Sequence, residues 1–288
     1  MKHSRVVCVL SGGGAKAAAH VGSIEALAER GIHPAHYVGT SMGAVIAACF
    51  ASGLTYREVL KRVVGISRRD VAAFSPSAVL GPFAAHLFQS QPLKKTIDRI
   101  VPVETFDGLE IPLSVTSVDA DTGESVIFGA GGRQDVALAD ALYASCALPL
   151  YYPPARIGGR TFVDGGMRAV LPLDVAELFD PDILFAVDVG PSLYAEPPDK
   201  ELPVPAMLRA YGQAIRILMA TQTEEVVARC RRKNVPLVLV QPLREQDATF
   251  AIDAIVSFVE EGYRATHRAL GKWLGEGHDS QDPGTLQE

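Results

Sequence analysis

The sequence has little of what defines several large protein classes. Four cysteines occur in 288 residues, at Cys8, Cys49, Cys146 and Cys230, with no CxxC pair and no histidine at ligand spacing. A disulfide framework or a structural zinc site is not expected, and buried free thiols in a reducing compartment are. No run approaches the roughly eighteen uninterrupted apolar residues that a membrane-spanning helix needs. Positive charge is not in excess, since 27 lysines and arginines face 33 aspartates and glutamates, for a net charge of −6. No nucleic-acid partner is therefore expected, because phosphates call for a cationic face. At the N-terminus, Lys2, His3 and Arg5 precede only Val6 to Leu10, too short an apolar stretch for a signal-peptide core. The expectation is a cytoplasmic protein that touches membranes peripherally at most.

The composition that is present, 48% hydrophobic with 26 glycines and 19 prolines, fits a soluble globular fold. A chain of this length hides roughly three-quarters of its unfolded surface and needs no staple. Val6 to Leu10 reads as a strand buried on both faces, and Ser11 to Gly14 as a sharp turn. A helix follows, with Val21, Ile24, Leu27 and Ala28 inward and Gly31 past its end. Tyr37 to Gly39 is a second strand, and Met42 to Ala51, apolar on all sides, a helix sunk in the core.

Further on, Ile111 to Val118 and Ser125 to Phe128 flank an Asp121-Thr122-Gly123 turn and predict a hairpin. Val136 to Cys146 is a helix, Thr161 to Val163 a short strand before Asp164, and Ile183 to Val189 and Leu237 to Val240 are strands. Leu208, Tyr211, Ile215, Leu218, Gln222 and Val226 mark one face of a long helix, and Ile252, Ile255, Val256, Val259, Tyr263 and Leu270 that of a last one. The order is predominantly βαβ, so an α/β fold follows, a mainly parallel sheet covered by helices on both sides. One domain over residues 1–274 is expected, with a helical insertion or lid at 54–105, a mobile proline-rich loop at 191–205 and a disordered tail at 275–288. The apolar piece from Val79 to Phe88 reads as a pocket wall, a lid or core packing.

Three local patterns carry chemistry. Gly39-Thr40-Ser41-Met42-Gly43 is a GxSxG between a strand and a buried helix. In such an elbow the serine sits in a cramped turn with its hydroxyl exposed at a helix N-terminus, although a plain N-capping serine fits the same letters. Gly12-Gly13-Gly14-Ala15-Lys16 lies one strand upstream. Consecutive glycines let several backbone N–H groups turn toward one anion, a phosphate or an oxyanion. A dinucleotide fingerprint fits poorly, since Ala17 holds the sixth position and no acid closes the second strand, and no GKS or GKT follows for a P-loop. Asp164-Gly165-Gly166 follows a strand and is either a tight turn or a base brought to the same end of the sheet. A Ser-Asp-His order through His267 is formally available, but His267 fits the face of the last helix as a structural residue.

These blocks, in this order, resemble the three signature segments of patatin-like phospholipases, with weaker agreement at Ala144 to Pro149, Tyr152 to Pro154 and Leu171 to Leu173. Ala17, and Arg168 to Val170 after the aspartate block, differ from the family pattern. The resemblance implies a patatin-like three-layer α/β/α sandwich and a serine acyl-ester hydrolase acting on phospholipid or lysophospholipid without metal or cofactor. It implies Ser41 as nucleophile, Asp164 as general base with a raised pKa, and Gly12, Gly13 and Gly14 as the oxyanion hole. Lys16 is expected at the loop's edge, paired with an acid or a lipid phosphate. The alternatives are a catalytically weak relative that binds a lipid or a protein partner, and a nucleotide-binding regulator using the glycine loop.

Overall fold

The computed structural model describes residues 4–76, 86–193, 206–233, 235–242 and 250–275. The expected mobile loop from residue 194 onward, the tail beyond residue 275 and most of the Val79 to Phe88 piece lie outside the described residues. Strand β1 (Val6–Leu10) is buried along its whole length. Val6, Cys8 and Leu10 enter one apolar core and Val7 and Val9 another, as the two-residue repeat of a strand covered on both faces requires. Parallel strands β2 (His36–Thr40) and β7 (Ile183–Val187) flank it, and β3 (Leu113–Asp119) and β8 (Leu237–Val240) extend the parallel part outward. The chain thus adopts the expected α/β fold with a mainly parallel sheet.

One flank is antiparallel. Strands β4 (Ser125–Gly129) and β6 (Arg160–Asp164) both pair with β3, and β5 (Ala155–Ile157) pairs with β6. The register there decides where the chemistry can sit. Thr40 at the end of β2 lies opposite Thr116, and Asp164 at the end of β6 lies opposite Ser117. Because β4 overlaps the pairings of both, β2 and β6 share the other edge of β3. They run toward each other along it and meet end to end, which brings residues 41 and 164 together.

Helices α1 (Ala19–Glu29), α2 (Met42–Ala51), α3 (Tyr56–Val64), α4 (Arg68–Val71), α5 (Ser90–Ile100), α6 (Leu138–Cys146) and α9 (Ile255–Leu274) supply one core. The thinner layer on the other face comes from α7 (Leu173–Glu177) and α8 (Ala206–Arg231). Helix α2 is buried from Gly43 to Ala51, as its uniformly apolar sequence predicts. Helix α1 is buried on nearly all sides because α9 crosses it closely. A Cβ at Gly22 would lie 2.0 Å from the Val259 carbonyl, and one at Gly262 1.9 Å from that of Ala19.

Three expected faces are corrected. In α1, Ala28 is exposed, because the buried stretch ends at Leu27. In α8, Tyr211 and Leu218 face outward, and the helix seats Ala220, Thr223, Val226, Val227 and Cys230 instead. Its apolar residues define two stripes, and the sheet takes the one that continues to Cys230. In α9, Val256 is exposed and Phe258 takes the buried position.

Candidate active site

Ser41 stands between β2 and α2 with φ 54° and ψ −134°. This conformation is strained for any residue with a Cβ, and such positions cost on the order of 1–3 kcal/mol. Packing enforces the turn. A Cβ at Gly39 would lie 2.5 Å from the Ala44 Cα, and one at Gly43 2.3 Å from the Ser11 carbonyl oxygen. Hydrogen bonds hold it as well: the Ser41 N–H donates to Ser145 Oγ at 2.7 Å, and the Ala44 N–H to the Ser41 carbonyl at 2.9 Å.

Asp164 closes β6 and is 4% exposed. Its Oδ1 accepts the Gly166 N–H at 2.7 Å and its Oδ2 the Ser41 hydroxyl at 2.8 Å, while its own N–H donates to the Ala147 carbonyl at 3.1 Å. Burial pushes its carboxyl up from an ordinary 3.8 to about 6, against the opposing pull of the Gly166 and Ser41 hydrogen bonds. The chain can turn away at this point because residue 165 is glycine. A Cβ there would lie 2.5 Å from the Thr116 carbonyl oxygen. Where Arg168 to Val170 depart from the family pattern, main-chain carbonyls brace the loop: Thr40 Oγ1 donates to Ala169 O at 3.0 Å and Gly12 N to Val170 O at 3.1 Å.

That last bond corrects one expectation. With its N–H held by Val170, Gly12 has no amide to offer an oxyanion and serves as a wall, where a Cβ would lie 3.3 Å from that of Ser41. Among the described residues no backbone carbonyl accepts from the amides of Gly13 or Gly14. The loop is anchored from behind by Ser11, whose Oγ accepts the Val189 N–H at 2.8 Å and whose carbonyl oxygen lies 2.9 Å from His20 Nε2. Burial lowers the His20 pKa to about 4. The imidazole is therefore neutral at physiological pH and donates from Nε2, since a carbonyl can only accept.

Lys16 is not at the loop's edge. It is 6% exposed and donates from Nζ to the Gly190 carbonyl at 3.3 Å, because the helical turn at Gly14–Ala18 directs its side chain inward. Asp188 lies beside it, its carboxyl raised by burial and drawn back by Gln241, the Gly190 N–H and the Lys16 charge. A buried ammonium requires such company.

Ser41, Asp164 and residues 12–14 open onto a cavity of about 150 Å³. The rest of its described lining is mainly apolar, including Met42, Ile46, Val63, Ile66, Val71 and Leu93 together with Tyr152, Met219, Phe250, Ile252 and Ile255. Cys146 lies among them, its thiol pushed well up by burial and by the Asp164 carboxylate. Among the described residues no histidine lines the cavity; His267 instead bonds Glu29 at 3.0 Å and packs on Tyr263. The four cysteines are free and buried. Among the described residues no helix is long and apolar enough to cross a membrane. Sequence reasoning missed the contact from Ser145 and the lining by Met219, Phe250 and Ile252. For Ser145 the one available signal was its place in the Ala144 to Pro149 segment.

A family model described as patatin-like phospholipase matches residues 8–177, a span that holds the glycine loop, Ser41 and Asp164. An uncharacterized NTE family protein of Mycobacterium tuberculosis (strain ATCC 25618 / H37Rv) is 30% identical over 198 residues, which is 67% of this chain and 52% of that protein. The omega-hydroxyceramide transacylase of Mus musculus is 30% identical over 168 residues, 56% of this chain and 27% of its own. The chain therefore spans about half the length, or less, of these curated relatives. Among solved structures, VipD from Legionella pneumophila matches 94% of this chain and 67% of its own at a TM-score of 0.50 and 15% identity, a likeness of fold.

Proposed function

On the footing that this chain belongs to the patatin-like phospholipase family, as the match over residues 8–177 shows, we propose that it is a serine acyl-ester hydrolase acting on phospholipid or lysophospholipid esters. The observation that carries this reading is the 2.8 Å bond from the Ser41 hydroxyl to Asp164, in a cavity otherwise lined mainly by apolar side chains. An acyl chain suits such walls, and the family supports lipid hydrolase chemistry.

In this mechanism Asp164 Oδ2 takes the Ser41 proton as Oγ attacks the ester carbonyl. The carbonyl oxygen becomes an oxyanion beside the amides of Gly13 and Gly14, and one well-placed donor of this kind contributes about 3 kcal/mol. Collapse of the tetrahedral intermediate breaks the acyl–oxygen bond, and Asp164 returns its proton to the leaving alcohol. Water then repeats the cycle on the acyl-enzyme, releasing the fatty acid and restoring Ser41. Burial is what makes the carboxylate a usable base, since an ordinary aspartate is too weak to draw a proton from an alcohol. The base must be ionised, so turnover rises as pH increases through about 6 and then levels.

The reading is tested with a fluorophosphonate probe followed by peptide mapping, together with hydrolysis of a short-chain nitrophenyl ester by the native chain, Ser41→Ala and Asp164→Asn. Label on Ser41, with both variants nearly inactive, is the expected result. Equal low rates in all three proteins would favour a lipid-binding role instead.

A further inference from the structure

We propose that Ser145 is a positioning residue for Ser41, and that the last turn of α6 sets where the reacting hydroxyl and carboxylate stand relative to each other. The inference rests on the reading of Ser41 and Asp164 as the reacting pair. Ser145 Oγ accepts the Ser41 main-chain N–H at 2.7 Å, across 104 residues of sequence. Two residues further on, the Ala147 carbonyl accepts the Asp164 N–H at 3.1 Å. One short stretch of chain therefore grips the backbone of both partners at the point where β2 and β6 meet.

The grip on Ser41 carries consequence because of that residue's conformation. A non-glycine residue at φ 54° and ψ −134° persists only where its surroundings over-determine it. The glycine contacts at Gly39 and Gly43 press on the turn from outside. The bond to Ser145 acts on residue 41 itself and fixes the orientation of its peptide plane. Ser145 is 0% exposed, so water cannot replace its hydroxyl as acceptor. Without that oxygen the Ser41 amide is left buried and unbonded, and rotation toward a less strained φ carries Cβ and Oγ away from Asp164 Oδ2. The same bond occupies the Ser41 amide, which leaves the amides of Gly13 and Gly14 to receive the developing negative charge. A residue whose only role was to fill space would have no effect on the separation of the pair.

The test compares native chain, Ser145→Ala, Ser145→Thr and Ser41→Ala on a short-chain nitrophenyl ester, with thermal unfolding measured alongside. Ser145→Ala is expected to lower kcat about 100-fold with KM within about 2-fold, the signature of lost alignment rather than lost binding. Its acid limb moves to higher pH, because Asp164 loses the hydroxyl hydrogen bond that favours its ionised form. Among the described residues the Cys146 thiol interacts with Asp164 and is kept protonated across that range by burial, while Lys16 and Tyr152 line the same cavity, Lys16 bonded to the Gly190 carbonyl and Tyr152 to the Val71 carbonyl. Ser145→Thr retains an oxygen at the same atom and keeps kcat within about 5-fold. Native kcat and an unmoved limb in Ser145→Ala overturn the proposal, as does a Thr variant that falls as far as the Ala variant. Should Ser145→Ala fail to fold, Ser145→Cys, of similar size but a weaker acceptor, replaces it, and a kcat equal to that of the Thr variant overturns the proposal. Native turnover in Ser41→Ala brings down the nucleophile assignment and this role with it. Native turnover in Ser145→Ala alone brings down only the positioning role.

Discussion

The two walls of the cavity are built in opposite ways. On the sheet side stand residues 12–14, Ser41, Asp164 and Gly166, placed by main-chain hydrogen bonds and by glycine contacts with no room for a methyl group. On the helix side stand Val63, Ile66, Val71, Leu93, Ile252 and Ile255, whose side chains form no directional bonds. Strand ends can hold atoms to a fraction of an ångström because each backbone group is bonded to a neighbour in fixed register. Apolar side chains specify volume and little else, so that wall can change shape without disturbing the other. Under the proposed function the difference would separate reaction from selection, with the sheet deciding whether an ester is cleaved and the helices deciding which apolar chain fits.

Substitutions on the two walls should therefore fail differently. The largest effect is expected for Asp164→Asn, with turnover reduced about 1,000-fold, within the usual range for loss of a general base. The same change should stabilise the fold above pH 6. With a folded pKa of about 6 against an ordinary 3.8, the native state binds the extra proton between those values, so native stability falls as pH rises through that window. Removing the carboxylate should recover up to about 3 kcal/mol at pH 8 and little at pH 4, read from urea unfolding at both. A variant no more stable than native at pH 8 would mean that ionised Asp164 is better solvated than its burial implies.

Gly43→Ala comes next. Its added methyl meets the Ser11 carbonyl oxygen at 2.3 Å, and turnover should fall about 100-fold even on a short ester. Val71→Phe probes the helix wall by filling part of the cavity. It should lower kcat/KM for long-chain relative to short-chain nitrophenyl esters about tenfold, while leaving short-chain kcat close to native. An equal loss on all chain lengths would break the division between the walls. The smallest effect is expected for Leu218→Ser on the outer face of α8, where the residue is 59% exposed: less than a twofold change in turnover, and stability within about 0.5 kcal/mol.

What the amino-acid order revealed in advance follows the range of the interactions concerned. β1, α2 and β8 have the predicted bounds, because each is an unbroken apolar run set off by local turn signals. The glycine loop, the serine elbow and the aspartate turn were visible as short motifs for the same reason. The head-to-head meeting of β2 and β6 was not, since antiparallel pairing of β6 with β3 depends on partners far apart in sequence. The outward face of α8 was misread because its apolar residues allow two stripes, and only tertiary packing chooses between them. Burial of Lys16 and loss of the Gly12 amide to Val170 likewise depend on segments about 160 residues or more downstream. For Ser145 the Ala144 to Pro149 segment marked the neighbourhood but not the contact, as its partner lies 104 residues away.

The glycine crossing of α1 and α9 has a consequence for biosynthesis. Helix α1 immediately follows the glycine loop, yet the surface that covers it belongs to residues 255–274. At a translation rate of about 5–20 residues per second, Gly22 leaves the ribosome roughly ten to fifty seconds before Val259 does. During that interval the face of α1 that α9 will cover stands open, close in sequence to Ser41. The glycine loop, Ser41 and Asp164 are thus all made before the helix that packs against α1, and under the proposed reading hydrolysis should begin only once that helix has docked.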